Sequence, residues 1–464
     1  MKISNQISCS LLLAVFFLSS CKKEINNQAS SLNAPASSDF ATGSTKPNII
    51  LIIGDDIGRE IPTYNGGQSY STPNLDFMAA NGMQFPYFFS HPDGPPSRLA
   101  LVTGRYNYRN WVDFGELPAS QKSFANMLHD DAGYSTCFVG KWQFDGGDSN
   151  ITHHGFDKYR VFMPFEPDNN NGHDQFYHRY KNPYLYEAAR YLTDQEVAGK
   201  YSEDMFYNYA SNFIDSNKTK PFLLVYSHSL VQKPWVPTPD DPAYATWNPD
   251  VDDNTKYDRA YFPSMVAYMD KTIGKLITKV QTAGISNNTI IMFISDNATN
   301  KSIASQYKGR TVTGSKDSTT FNAINVPFLI YARGRVAAGA VDTSLVDMTD
   351  FFPTFAALAN IKNLTAYLPL DGTTFSDNMQ SNPILSKQRK TVYCYWPRFY
   401  QREPDLSYVF DYNYKLYDAA NGGGFYNYPN DIYEQFPLPT SLLTPTEKKT
   451  RNKFAQILNN VPHL

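Results

Sequence analysis

Five continuous apolar runs punctuate the chain: "KPNIILIIGDD" (residues 46–56), "STCFVGKW" (135–142), "KPFLLVYSH" (220–228), "NNTIIMFISDNA" (287–298) and "NVPFLIYARG" (325–334). Runs that lack polar alternation predict strands buried on both faces, as in a parallel sheet covered by helices. Between them lie stretches with apolar residues three and four apart, at 71–85, 123–134, 201–217 and 267–285. Each predicts a helix, the first capped by Ser71 or Thr72 with Pro73 in its first turn and Gly82 as its stop, the last stopped at Gly284. Another helix is predicted to begin within 97–102. This alternation predicts an α/β layered domain with a mostly parallel central sheet.

After about residue 380 the pattern changes. "RKTVYCYWPRFYQ" and "LSYVFDYNYKLYDA" read as hairpin strands and "TPTEKKTRNKFAQILNN" as a closing helix. The expected domains are therefore 46–380 and a small C-terminal antiparallel sheet with one helix, 381–464. No internal repeat is visible.

The N-terminus departs from both patterns. Lys2 precedes "ISCSLLLAVFFL" (Ile7–Leu18), too short an apolar run for a stable span. "LSSC", ending at Cys21, resembles a bacterial lipobox, which implies cleavage before Cys21, lipidation of its thiol and membrane tethering; the alternative is a secretory signal with an incidental cysteine. Residues 1–21 are thus expected to be a lipoprotein signal and 22–45, rich in Ser, Ala and Asn, a flexible tether. The expected location is that of an exported bacterial lipoprotein, in the periplasm or at the outer-membrane surface. A net charge of −3, from 41 basic and 44 acidic residues, carries no nucleic-acid signature. With Cys9 expected to leave with the signal and Cys21 to carry lipid, Cys137 and Cys394 are left as one potential disulfide.

The candidate chemistry gathers at strand ends. Asp55–Asp56 close the first apolar run and Asp296–Asn297 close another, and ligands in such sheets collect beyond the carboxyl ends of strands. Four hard oxygen donors without His or Cys suit Ca²⁺ better than Zn²⁺; the alternative is that these acids cap helices. In "SHPDGPPSRLALVTGRYNY" (90–108), Pro95–Pro96 stiffen a turn into a helix whose free N–H groups favour an anion. Arg98, in the expected first turn, would fork two bonds to sulfate or phosphate, while Arg105 would brace the loop. The alternative is a Pro-rich turn before a surface helix.

Taken in order, "NIILIIGDD", "STPNLDFMAANGMQF", "PPSRLALVTGRY", "GKW", "HGFDKY", "SDNA", "NVPFLIYARG" and "LVDMTDFFPTFAALANI" resemble the sulfatases of the alkaline-phosphatase superfamily, bacterial lipoprotein sulfatases among them. The likeness covers about residues 46–375, with a weaker echo in "YKLYD" and "DIYEQFPL". It implies a large α/β/α sandwich, a Ca²⁺ ion and hydrolysis of sulfate esters. The family signature is Cys or Ser, any residue, Pro, Ser, Arg, with its first residue oxidised to formylglycine, whose hydrate attacks sulfur. Carried over, Asp55, Asp56, Asp296 and Asn297 resemble the metal ligands, and Arg98 the arginine supporting the nucleophile. Lys141 resembles the lysine on a sulfate oxygen, and Lys316 the one near the leaving oxygen, where a cation stabilises developing charge.

This chain departs from the pattern where turnover is concerned. The signature's first position is Gly94, which has no β-carbon to oxidise, so no formylglycine is expected. Where the family often has histidine, the chain has Gln143 and Gln232, which hydrogen-bond anions but cannot shuttle protons at neutral pH. His228 lies four residues before Gln232 and would replace it only in a remodelled loop. The expected function is therefore binding of a sulfated small molecule or glycan without efficient formylglycine-dependent hydrolysis. One rival is a working sulfate- or phosphate-ester hydrolase using Asp93, Ser90 or a cation-activated water, Ser97 being taken by the signature's own serine. The other is an interaction module with a vestigial pocket. Loops 144–200 and 235–260 would shape the pocket and carry no readable substrate code.

Overall fold

A computed structural model describes residues 46–166, 178–249, 258–379, 388–399 and 401–461. The signal, Cys21 and the tether lie outside the described residues. Strand β1 (Asn48–Gly54) is buried throughout. Helix α1 (Pro73–Asn81), with Pro at its start, leads to the short β2 (Met83–Gln84). Helix α2 (Gly94–Thr103) and helix α3 (Phe124–Ala132) precede β3 (Ser135–Lys141) and β4 (Lys158–Phe162). Helix α4 (Ser202–Asn217), β5 (Phe222–Ser227), α5 (Phe262–Thr282) and β6 (Thr289–Ser295) continue the alternation. Then come β7 (Phe328–Tyr331) and α6 (Phe351–Leu358).

Ten strands form the central sheet, with β2–β7–β6–β1–β5–β3–β4 in its middle and short strands at both edges. The pairs β6–β1, β1–β5, β5–β3 and β3–β4 are parallel, and β7 runs antiparallel to both β6 and β2. The two faces read directly from the pleat. Ile49, Leu51 and Ile53 enter one apolar layer with α2, α3 and α6; Ile50 and Ile52 enter the other with α1, α4 and α5. Each fully buried isoleucine contributes roughly 1.5–3 kcal/mol, which is why residues 49–53 of β1 are all Ile or Leu.

Two helices begin earlier than the periodicity predicts. Helix α5 starts at Phe262 rather than 267, because Pro263 is tolerated in a first turn, where its missing N–H has no partner to lose. Helix α2 starts at Gly94 rather than at 97, for the same reason at Pro95 and Pro96, and every one of its residues is buried.

The C-terminal strands β8 (Val392–Trp396), β9 (Leu406–Phe410), β10 (Lys415–Tyr417) and β11 (Phe425–Tyr426) form an antiparallel sheet in sequence order. Phe454 and Leu458 of α7 (Pro445–Asn460) pack on one face with Val409 and Leu416. The other face packs Trp396 and Tyr408 against Phe89 and Ile324. Cys137 and Cys394 are both buried and free, each in a different apolar cluster, so the disulfide left open by the sequence is not made. Among the described residues no helix is long and apolar enough to cross a membrane.

Candidate active site

Because β6, β1, β5 and β3 are adjacent and parallel, their carboxyl ends deliver residues from distant parts of the chain to one place. Asp55 and Asp56 follow β1, Asp296 and Asn297 follow β6, and Lys141 ends β3. Ligand oxygens of Asp55, Asp56 and Asp296 lie within 4.8 Å of one another, all buried. Asn297 Nδ2 donates to Asp56 Oδ1 at 2.7 Å. The oxygens Asp55 Oδ1 and Asn297 Oδ1 are buried without a hydrogen-bond partner among the described residues. Buried oxygens are seldom left unpaired, and these two, in an all-oxygen cluster, fit a hard divalent cation.

Three cations face the three carboxylates. Lys141 Nζ lies 2.6 Å from Asp55 Oδ2, and Lys316 Nζ lies 2.5 Å from Asp56 Oδ1. Burial opposes the charge on Asp55, yet Lys141, Arg98 and Lys316 outweigh it and hold the carboxyl below its ordinary range. Burial lowers Lys141 in spite of Asp55, because Arg98 and Lys316 are like-charged neighbours. Burial also works against Lys316, but Asp56, Asp55 and Asp296 prevail and keep it firmly protonated. At Asp296, burial and the neighbouring Asp55 raise the carboxyl.

Arg98 is placed differently from the sequence expectation. With α2 beginning at Gly94, it sits a full turn inside the helix and points sideways to the strand ends. Its Nε and Nη2 reach Asp296 Oδ2 at 3.0 and 2.9 Å, and Nη1 donates to Lys141 O and Ser227 Oγ at 3.0 and 2.6 Å. It staples three strand ends instead of presenting a fork to an anion. Arg105 does brace its loop, donating to Gln121 Oε1 and Tyr367 O.

At the start of α2 the missing side chain has a defined direction. A β-carbon on Gly94 would stand 2.8 Å from Asp296 Oδ2 and 3.2 Å from Asn297 Oδ1, so position 94 faces the acidic cluster. Asp93, the preceding residue, is buried; Trp396 Nε1 of the C-terminal sheet donates to its Oδ2 at 3.3 Å, while Oδ1 has no partner among the described residues. Burial pushes its carboxyl up to about 7, despite the indole bond. Ser97 Oγ donates to Asp93 O and accepts from the His91 N–H, and Ser90 Oγ donates to His91 O. Both hydroxyls are spent on holding the loop.

The two glutamines diverge. Gln232 joins the site: its Oε1 accepts from Lys141 Nζ at 3.0 Å and from Arg179 Nη1 at 2.7 Å. Gln143, at a positive φ of 64° just beyond β3, buries an Oε1 that has no partner among the described residues and makes no hydrogen bond to the cluster. His228 is tied elsewhere, its Nδ1 2.8 Å from Glu203 Oε2 of α4, with both side chains fully buried. It does not join the Lys141–Gln232 pair. Arg179 and Trp396 went unnoticed in the sequence, since neither sits in a spaced pattern.

An α/β/α protein whose polar centre lies at the carboxyl ends of its parallel strands is the class that fold and site define. The chain belongs to the sulfatase family, whose model matches residues 47–361. It is 28% identical to mouse (Mus musculus) N-acetylgalactosamine-6-sulfatase over 76% of this chain and 71% of that protein. It is 30% identical to rat (Rattus norvegicus) arylsulfatase G over 72% and 69%. Among solved structures, Ps i-CgsB in complex with k-i-k-neocarrahexaose matches with a TM-score of 0.69 and 24% identity, over 89% of this chain and 92% of that one. A protein in complex with its substrate D-glucosamine-2-N,6-O-disulfate matches with a TM-score of 0.71 and 18% identity, over 90% and 98%.

Proposed function

We propose that this protein binds a sulfated sugar over a Ca²⁺ ion held by Asp55, Asp56, Asp296 and Asn297, and that it does not hydrolyse sulfate esters by formylglycine chemistry. The observation that carries this reading is position 94: it faces the acidic cluster, where the nucleophile of the family signature would stand, and glycine offers no atom to oxidise. Sulfated sugars named in the complexes and relatives above support the ligand class. The charge balance supports the rest. Three carboxylates against three cations leave the bare site neutral, so a divalent cation gives it an excess of two positive charges that an anion offsets. The cation supplies a fixed positive charge for an anionic oxygen; Lys141 and Lys316 supply N–H donors, and Arg98 keeps the strand ends in register. The proposal extends to Cys21 as a lipid anchor on an exported protein.

Titration calorimetry of residues 46–464 with CaCl₂ and then with N-acetylgalactosamine 6-sulfate, beside a sulfate-release assay, tests the reading. Binding without release is expected, with Asp55→Asn abolishing the Ca²⁺ heat. Release by the wild-type protein at rates of ordinary enzymes, above about 1 s⁻¹, would overturn it.

Asp93 favours a second reading. Its buried carboxyl, with one oxygen unpartnered and adjacent to Gly94, is placed to act as a base or nucleophile in a working hydrolase. That reading expects slow release that Asp93→Asn removes while Ca²⁺ binding persists.

A further inference from the structure

Gln232 stands in the site where the family often has histidine, and its amide is held from two sides. Lysine and arginine side chains only donate hydrogen bonds. With Lys141 Nζ at 3.0 Å and Arg179 Nη1 at 2.7 Å from the same atom, that atom is the carbonyl oxygen Oε1; the reverse amide would set NH₂ against two cations. The Nε2 hydrogens therefore point away from both. Among the described residues the side-chain hydrogen bonds of Gln232 all go to Oε1, none to Nε2, and Gln232 is only half-buried. Its main chain is fixed as well: the Tyr180 hydroxyl bonds to Gln232 O at 2.6 Å and to Ser229 O at 2.8 Å. Arg179 itself lies over the Phe162 ring, 5.3 Å from its centroid, at the end of β4.

We infer that Arg179 is a positioning residue that locks Gln232 as a neutral, non-titrating hydrogen-bond donor to the bound sulfo group. This rests on the proposed sulfated ligand. Lys141 alone leaves the amide one partner and freedom to rotate; the second cation removes that freedom, so the donor is set before the ligand arrives. Arg179 acts through Gln232 and need not touch the ligand. A histidine at 232 would supply a proton that comes and goes between pH 5 and 8. The locked amide supplies a donor that is always present and never transferred, which suits capture of an anion rather than protonation of a leaving group.

A double-mutant cycle read by calorimetry with inorganic sulfate, in saturating CaCl₂, tests the inference. Arg179→Met keeps the packing on Phe162 and removes the donor; it is expected to weaken sulfate binding roughly tenfold, the worth of a charge-assisted hydrogen bond. In a Gln232→Leu background the same substitution is expected to cost less than about twofold, because the residue it acts through is gone. Arg179→Lys, which keeps a donor for Oε1, is expected to regain most of the lost affinity. An equal loss from Arg179→Met in both backgrounds, or no loss in either, would overturn the role while leaving the proposed function standing. A wild-type protein that binds neither sulfate nor a sulfated sugar would overturn both.

Discussion

At the scale of single residues, a glycine and a buried acid stand side by side at the acidic cluster. Gly94 faces the acidic cluster, and Asp93 beside it carries a carboxyl that burial raises to about 7. Trp396 and Lys316 favour its charged form, Asp317 and Asp296 disfavour it, and burial is the largest influence. In the unfolded chain this carboxyl returns to about 3.9. Between those two values the folded state holds a proton that the unfolded state has released, so stability falls as pH rises from about 4 to about 7. In EDTA, urea unfolding of Asp93→Asn is expected to match wild type near pH 4.5 and to exceed it by a few kcal/mol at pH 8. A constant difference across that range would show that Asp93 does not titrate in this window.

At the scale of elements, the C-terminal sheet reaches into the loops around the site. Trp396 of β8 bonds to Asp93, and Tyr417 of β10 bonds through its hydroxyl to Thr319 Oγ1 at 2.6 Å, three residues beyond Lys316. Arg389, just before β8, is buried with Asp347 and Asp350 around it: its Nη1 lies 3.0 Å from Asp347 Oδ2 and its Nε 3.0 Å from Asp350 Oδ2. Burial raises the Asp347 carboxyl to about 7 even with the guanidinium beside it. Removing one partner of such a group strands the others in a low-dielectric interior. Arg389→Met is expected to lower unfolding free energy by about 3–5 kcal/mol at pH 7.5, with the deficit shrinking at pH 5 as the stranded carboxyls take up protons. Urea melts at the two pH values measure this; a deficit that does not depend on pH would point to lost packing alone.

At the scale of the whole molecule, the site balances three carboxylates against three cations brought together from strand ends, helix α2 and the loop that carries Lys316, and its ligands should be linked. A bound divalent cation leaves an unbalanced positive field that sulfate offsets, and the same free energy must appear in either order of addition. Sulfate affinity is expected to rise at least about tenfold between EDTA and saturating Ca²⁺, with Ca²⁺ affinity rising by the same factor in saturating sulfate. Calorimetric titrations in both orders check this, and independent constants would count against the shared site.

Hydrophobic patterning by itself marked β1, β3, β5, β6 and β7 and their alternation with helices, because burial on both faces of a sheet leaves a continuous apolar run that survives any change of loop; β4, where Lys158 and Arg160 alternate with apolar residues, and the short strands at the sheet edges carry no such run. Patterning also marked Asp55, Asp56, Asp296 and Asn297, since residues just beyond such runs are placed by the sheet. The resemblance to the sulfatase motifs drew attention to Gly94, Lys141 and Lys316. Only the tertiary structure decided what these residues face. Arg98 turns to Asp296 because two prolines were absorbed into α2, a shift of three residues that periodicity does not register. His228 is claimed by Glu203, Cys137 and Cys394 are kept apart in separate clusters, and Arg179 and Trp396 come in from segments with no pattern of their own. Burial is a property of a residue's own type and spacing and so is written locally; a hydrogen-bond partner distant along the chain is chosen by how the layers pack.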